Sequence, residues 1–277
     1  MLIGVRAHDF GKLSIEELAK KIQEKNISYI QLALSKAVAG IDNPSGILNP
    51  GLASYIRDIL YKHNIKISVL GVYLNYIHPD IEQRRKNIEI FKEHVRFARD
   101  FGCSVIGTET GSLNANYSYN SENESDYAFN LLYNSLSELV DEADKFGVFV
   151  GIEGVTSHVL TTPQRIKEML DKINSNNLQV IFDPVNLIDF KNFNEQDRII
   201  KQSFELFGDK IAVIHAKDFI VENNNLSQVA PGKGILNYKL LCDLIKKRKP
   251  HIEILMEETT PLNIHESINY IEKYFKE

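Results

Sequence analysis

The sequence predicts a single α/β domain, a (β/α)8 TIM barrel over residues 1–277, and three observations carry that expectation. Short apolar runs alternate strictly with longer amphipathic stretches, eight of each, at about 35 residues per unit, the size of a βα repeat. The runs are continuously apolar, as strands buried on both faces of a parallel sheet are. No GxGxxG follows the first run, and no linker or composition shift divides the chain, so a closed barrel is preferred to an open doubly wound sheet. Barrels of this kind run to about 250 residues as one domain, so the length fits without a second one.

The elements follow in order. Residues 2–5 form the first apolar run. Ser14, with Glu16 and Glu17 close behind, then opens a helix, since a serine cap and early carboxylates satisfy free N–H groups and the helix dipole. Residues 29–34 are the second run, followed by a Gly/Pro/Asn-rich loop and a helix over 50–63. Residues 66–73 are the third run, with a long helix over 80–101. Residues 104–107 are the fourth, then an Asn/Ser-rich loop over 114–125 and a helix over 125–146. The second half repeats the rhythm with runs at 148–152, 178–182, 211–214 and 252–256. Helical patterns over 162–173, 194–207, 237–248 and 263–275 fill its gaps.

Composition sets the outer limits. The chain is 43% hydrophobic and 25% charged, with net charge −5 and pI near 5.9. Nothing in that balance offers a footprint for nucleic acid or an anionic membrane. The opening MLIGVRAHDFG lacks the apolar segment of a signal peptide, and no run approaches the ~18 apolar residues that span a bilayer. A cytoplasmic location is expected. Cys103 and Cys242 stand far apart in no metal-binding spacing, and read as buried apolar residues of a reducing compartment. Association into a homo-oligomer is compatible with the sequence, which marks no patch for it.

In a barrel of this type the chemistry sits at the C-terminal ends of the strands. The fifth to eighth runs read VFVGIEG, LQVIFDPVN, IAVIHAKD and IEILMEETT, so successive strands end in Glu153, Asp183, His215 and Glu257. Gathering three carboxylates and an imidazole in a buried place is costly without a counter-charge. One divalent metal ion supplies it, and three oxygen donors with one nitrogen suit Mn²⁺ first, or Mg²⁺, Co²⁺ or Zn²⁺. Counting back by twos from the first three gives Gly151, Ile181 and Val213, plausible barrel-lining residues. Glu258 competes with Glu257, because choosing it leaves Met256, Ile254 and Ile252 as an apolar line. Glu257 is preferred as the first residue past the run, as Glu153 is. His8, Asn75, Glu109, His158, Asn186 and Lys217, with Arg6, hold comparable strand-end or loop positions and are candidates to line a substrate pocket.

At these residues the chain resembles the xylose-isomerase-like barrel superfamily, the sugar phosphate isomerase/epimerase group. The resemblance runs from first strand to last helix, and its most specific parts are IEG at Glu153, FDPVN at Asp183, HAKD at His215, PGKGILNY from Pro231 and LMEE at Glu257. It implies one divalent metal held by Glu153, Asp183, His215 and Glu257, with Glu153 and Glu257 also the acid/base pair on opposite sides of a bound sugar. Where ketose epimerases of the group carry a substrate-binding histidine three residues past the metal aspartate, this chain has Asn186. An amide can hydrogen-bond a hydroxyl but cannot be protonated as histidine can.

The implied reaction is sugar or sugar phosphate isomerisation or epimerisation by proton transfer through a metal-stabilised enediolate. The substrate would be a small carbohydrate, with no nucleic acid or membrane partner. An inosose-type dehydratase on the same site is the alternative. A phosphodiester hydrolase of the apurinic endonuclease type would need further metal ligands and a basic track, whereas the third strand end offers only His78. A non-catalytic sugar-binding barrel is the reading outside enzymes.

Overall fold

In a computed structural model describing residues 2–42 and 45–276, eight parallel strands close into a barrel. They are β1 (Leu2–Arg6), β2 (Tyr29–Leu32), β3 (Lys66–Gly71), β4 (Val105–Glu109), β5 (Phe149–Glu153), β6 (Leu178–Phe182), β7 (Ile211–Ala216) and β10 (Glu253–Met256). Each strand pairs with its neighbours in the series, and β10 returns to β1 to close the ring. The ends of the expected domain, residues 1 and 277, and Asn43 and Pro44 of the Gly/Pro/Asn-rich loop lie outside the described residues.

The first helix opens on the expected serine cap, and most of the others open on side-chain caps of their own. Ser14 accepts the Glu17 amide to open α1 (Ile15–Gln23), and a short α2 (Leu34–Ala37) follows β2. Asn49 with Pro50 opens α3 (Pro50–Lys62), and Asp80 opens α4 (Ile81–Phe97). Ser125 caps α5 (Asp126–Phe146), which Gly147 ends in the left-handed region. Thr162 with Pro163 opens α6 (Pro163–Ile173); α7 (Gln196–Phe207), α8 (Tyr238–Arg248, capped by Asn237) and α9 (Ile264–Lys276) complete the ring. α4 stops at Phe97, short of the expected 101, and a turn there leads through Gly102 into β4.

Two apolar clusters result from the strand period of two. One set of residues packs outward beneath the helices; the other, Val69, Val105, Ile181, Val213 and Leu255, fills the barrel interior. Ile181 and Val213 are therefore the lining residues the parity count predicts. A β-carbon on Gly151 would come within 3.0 Å of Ile181, and one on Gly107 within 2.7 Å of it. Glycine on β4 and β5 thus makes room for the large side chain from β6, the small-against-large packing that a narrow barrel requires. Leu255 in the interior also decides the eighth strand: residue 257 shares its parity, whereas Met256 and Ile254 belong to the outer core.

One feature of the chain lies outside the repeat. After β7 the chain forms an antiparallel hairpin, β8 (Asp218–Glu222) and β9 (Asn225–Val229). Asn223 and Asn224 at its tip both have positive φ, the form of a two-residue type I′ turn. The PGKG segment then fastens the hairpin to α8. The fully buried Asp218 carboxylate accepts the backbone amides of Phe219, Gly232 and Leu236, and a β-carbon on Gly234 would lie 2.2 Å from the Phe219 carbonyl.

Candidate active site

The interior side chains change character at the upper rim of the barrel. Following the period of two beyond the apolar layer brings Glu109, Glu153, Asp183, His215 and Glu257 to the ends of β4, β5, β6, β7 and β10. Glu153, Asp183 and His215 each present a ligand atom, all within 4.8 Å of one another, and all three residues are buried. His215 Nδ1 lies 3.3 Å from Glu153 Oε1 and 3.2 Å from Glu257 Oε1. Glu258, the competing residue, instead has φ 56° and turns to Arg6 at 3.3 Å, with its side chain 37% exposed.

Glu153, Asp183 and His215 could hold a metal ion, and Glu257 reaches the same histidine nitrogen from the other side. Carboxylate oxygens and an imidazole nitrogen gathered this closely are the donor set that divalent ions take. The fully buried Asp183 accepts backbone N–H groups of Val185 and Asn186 at Oδ1, while Oδ2 has no aligned hydrogen-bond donor. Asn186 donates its amide to Glu153 Oε1 at 2.6 Å and accepts from Gln228 Nε2 at 3.2 Å, so the β9 side chain orients the amide that orients the carboxylate.

Lys217 supplies a permanent cation beside the ligands. Its Nζ is 2.9 Å from Glu257 Oε2, to which it donates, and 2.9 Å from Asp183 Oδ2 as an ion pair without hydrogen-bond alignment. Burial alone would raise the Glu257 carboxyl, but Lys217, His215 and Arg6 outweigh it and hold it well below the usual range. Burial dominates at Asp183 and pushes it up to about 6 despite Lys217. Burial lowers His215, yet the charges of Glu153 and Glu257 prevail and raise it to about 9. Glu109, beside Glu153 in register across β4 and β5, rises to about 7 through burial and the Glu153 charge.

Above this floor lies a cavity of about 280 Å³ lined by Arg6, His8, Glu109, Glu153, His158, Asn186, Lys217 and Glu257 among others. Its walls hold buried polar atoms without a hydrogen-bond partner, His8 Nδ1, Gln31 Oε1, Tyr73 Oη and His158 Nδ1, the last 3.7 Å from Glu109 Oε2. Burial, helped at His8 by Arg6, lowers both histidines to about 4, so they are neutral near pH 7. His158 is further held by Tyr117, whose ring meets it edge-on at 4.6 Å.

Asn75 is a correction. It does not line the cavity; its side chain donates to Ser112 O and Asn114 O and accepts from the amides of Ile77 and Ser112, tying the β3 loop to the β4 loop. His78 likewise accepts the Asp80 amide at the start of α4. Gln31, Lys36, Tyr73, Ser157 and Gln228 line the cavity without having been singled out from sequence. Gln31 was visible as a polar residue inside the apolar run YIQLAL, on the same parity as the interior-facing Tyr29. Gln228 was reachable from the paired asparagines 223–224 between short apolar stretches, a hairpin signal.

Comparison with known proteins agrees with this fold. The family described as Xylose isomerase-like TIM barrel matches residues 40–274. The uncharacterized protein MJ1311 of Methanocaldococcus jannaschii is 23% identical over 257 residues, covering 89% of this chain and 80% of that protein. A xylose isomerase-like TIM barrel protein from Mycobacterium smegmatis, solved in complex with magnesium, superposes with TM-score 0.77 at 15% identity over 99% of this chain and 96% of that one. A D-tagatose 3-epimerase-like protein gives TM-score 0.76 at 17% identity over 100% and 97%. The chain therefore belongs to the xylose isomerase-like TIM barrel family.

Proposed function

We propose that the protein is a divalent-metal-dependent isomerase or epimerase of a sugar or sugar phosphate, with Glu153 and Glu257 as its acid/base pair. One observation carries the reading: the two glutamates reach His215 Nδ1, at 3.3 and 3.2 Å, from strands on either side of β7 at the floor of the cavity. Two carboxylates so placed can address a substrate from two directions, one taking a proton and the other returning it.

Glu153, Asp183, His215 and Glu257 would hold the metal, manganese by our assignment and magnesium, zinc or cobalt as alternatives. When bound, that ion supplies the positive charge that lets a proton leave a carbon beside a carbonyl. The protein's own groups do the rest. Asn186 fixes Glu153 by its 2.6 Å bond, and Lys217 with Arg6 keeps Glu257 ionised. His8, Gln31, Tyr73 and His158 offer hydrogen bonds to substrate hydroxyls, and Glu109 adds a carboxyl poised near neutral pH. Such a wall of unpartnered donors and acceptors suits a polyhydroxylated molecule better than an apolar one. Buried, unpaired Cys103 and Cys242 favour the cytoplasm as its working place.

Glu153→Gln and Glu257→Gln test the reading. Each keeps an oxygen donor but loses the base, so deuterium exchange beside the carbonyl of ketose or aldose substrates in D₂O should fall about 10²–10⁴-fold at saturating Mn²⁺. Exchange at the unmodified rate in both variants would refute the two-glutamate mechanism.

A further inference from the structure

The metal-proximal cavity does not end at its own rim. A second cavity of about 380 Å³ adjoins it, and Val155, Ser157, Asn186 and Gln228 line both. The two spaces adjoin at these residues, where Gln228 donates its amide to Asn186. The outer space is walled by the β5 loop, the β6 loop and the β8–β9 hairpin, the part of the chain that the eightfold repeat does not call for.

We propose that this outer cavity is a subsite for a second sugar ring, so that the preferred substrate is a disaccharide or glycoside with its keto-sugar in the metal-proximal cavity. The inference rests on the isomerase/epimerase reading for the inner position and adds the substrate class.

The chemistry of the lining selects that occupant. A pyranose ring has an apolar C–H face and a rim of hydroxyls, and needs a flat apolar surface together with neutral hydrogen-bonding groups. Phe190, with the part-buried Leu226 beside it, provides the surface. The Phe190 ring is 40% exposed and steadied by Phe193, stacked at 6.0 Å with the planes 27° apart. An aromatic ring so fixed presents contact area at little entropic cost. Asn186, Asn225 and Gln228 supply amides, and Thr156 and Ser157 hydroxyls. No lysine or arginine lines the outer space among the described residues, and Asp189 places a carboxylate there. A phosphate or other anionic handle is disfavoured by that charge, and a purely apolar group would desolvate the Thr156 and Ser157 hydroxyls that line the space.

Titration calorimetry of the Mg²⁺-loaded protein tests this with D-fructose, lactulose and isomaltulose, the last two carrying a second ring on O4 or O6 of a fructose unit. At least one disaccharide should bind about tenfold tighter than D-fructose. Phe190→Ala, at an exposed position, should remove about three- to tenfold of that advantage and leave D-fructose affinity unchanged. D-fructose binding as tightly as both disaccharides, or Phe190→Ala weakening neither, would overturn the proposal. Deuterium exchange in the same samples separates the two readings. A disaccharide preference without exchange retains the subsite and refutes the isomerase. Exchange of D-fructose without a disaccharide preference does the reverse.

Discussion

Lys217→Met isolates the charge balance of the site. The Lys217 ammonium is 3% exposed and 2.9 Å from both the Asp183 and Glu257 carboxylates, so its removal leaves buried negative charge uncompensated while methionine keeps most of the volume. Breaking a buried pair by deleting one partner costs about 3–5 kcal/mol. In EDTA, urea unfolding of the variant should reveal a loss of that order. A divalent ion brings its own compensating charge to the same carboxylates, so saturating Mg²⁺ or Mn²⁺ should restore a large part of the stability. Because the cycle closes, every 1.4 kcal/mol recovered corresponds to about tenfold tighter metal binding by the variant, which calorimetry reads independently. Unchanged stability in EDTA, or the same deficit with and without metal, would refute the claim that Lys217 neutralises the carboxylates proposed to hold the metal.

Three further outcomes follow from single contacts. Gln228→Ala removes the donor that orients Asn186, so the 2.6 Å Asn186–Glu153 bond loses its fixed amide; kcat should fall several-fold with KM for a monosaccharide little changed, read by steady-state kinetics. Gly234→Ala places a β-carbon 2.2 Å from the Phe219 carbonyl and 2.5 Å from Asp218 Oδ1, and should cost about 1–3 kcal/mol in urea unfolding by forcing the PGKG segment off the hairpin. Asp9 is raised to about 7 by burial, against the opposing Arg6 charge, so its folded form holds a proton that the unfolded form has lost. Its contribution is therefore full below pH 3.8 and is lost as pH rises towards 7, by about 1.4 kcal/mol per unit. Asp9→Asn should remove that slope from unfolding free energies measured in EDTA between pH 5 and 7; an identical slope would refute it.

What the sequence by itself determined was the barrel and the rim of the site. Strict alternation of buried runs with amphipathic stretches leaves few arrangements open, and a strand period of two makes the residue that ends each run face the axis. That is why Glu153, Asp183, His215 and Glu257 were legible from IEG, FDP, IHA and LME. Other features were settled only when strands were placed side by side. Leu255 in the interior turns Glu257, of the same parity, towards the barrel mouth, while Glu258 turns to Arg6. Asn75 looked like a pocket residue because it follows a strand, yet the β4 loop that consumes its amide lies some 40 residues away, with Ser112 and Asn114 as its partners. Lys217 was a candidate pocket residue in the sequence, but its partners emerge only where β6 and β10 set Asp183 and Glu257 on either side of its ammonium. Local periodicity fixes which way a side chain points. The group it meets depends on loops and strands distant in sequence, and those distant partners decide its charge, its hydrogen bonds and its access to a substrate.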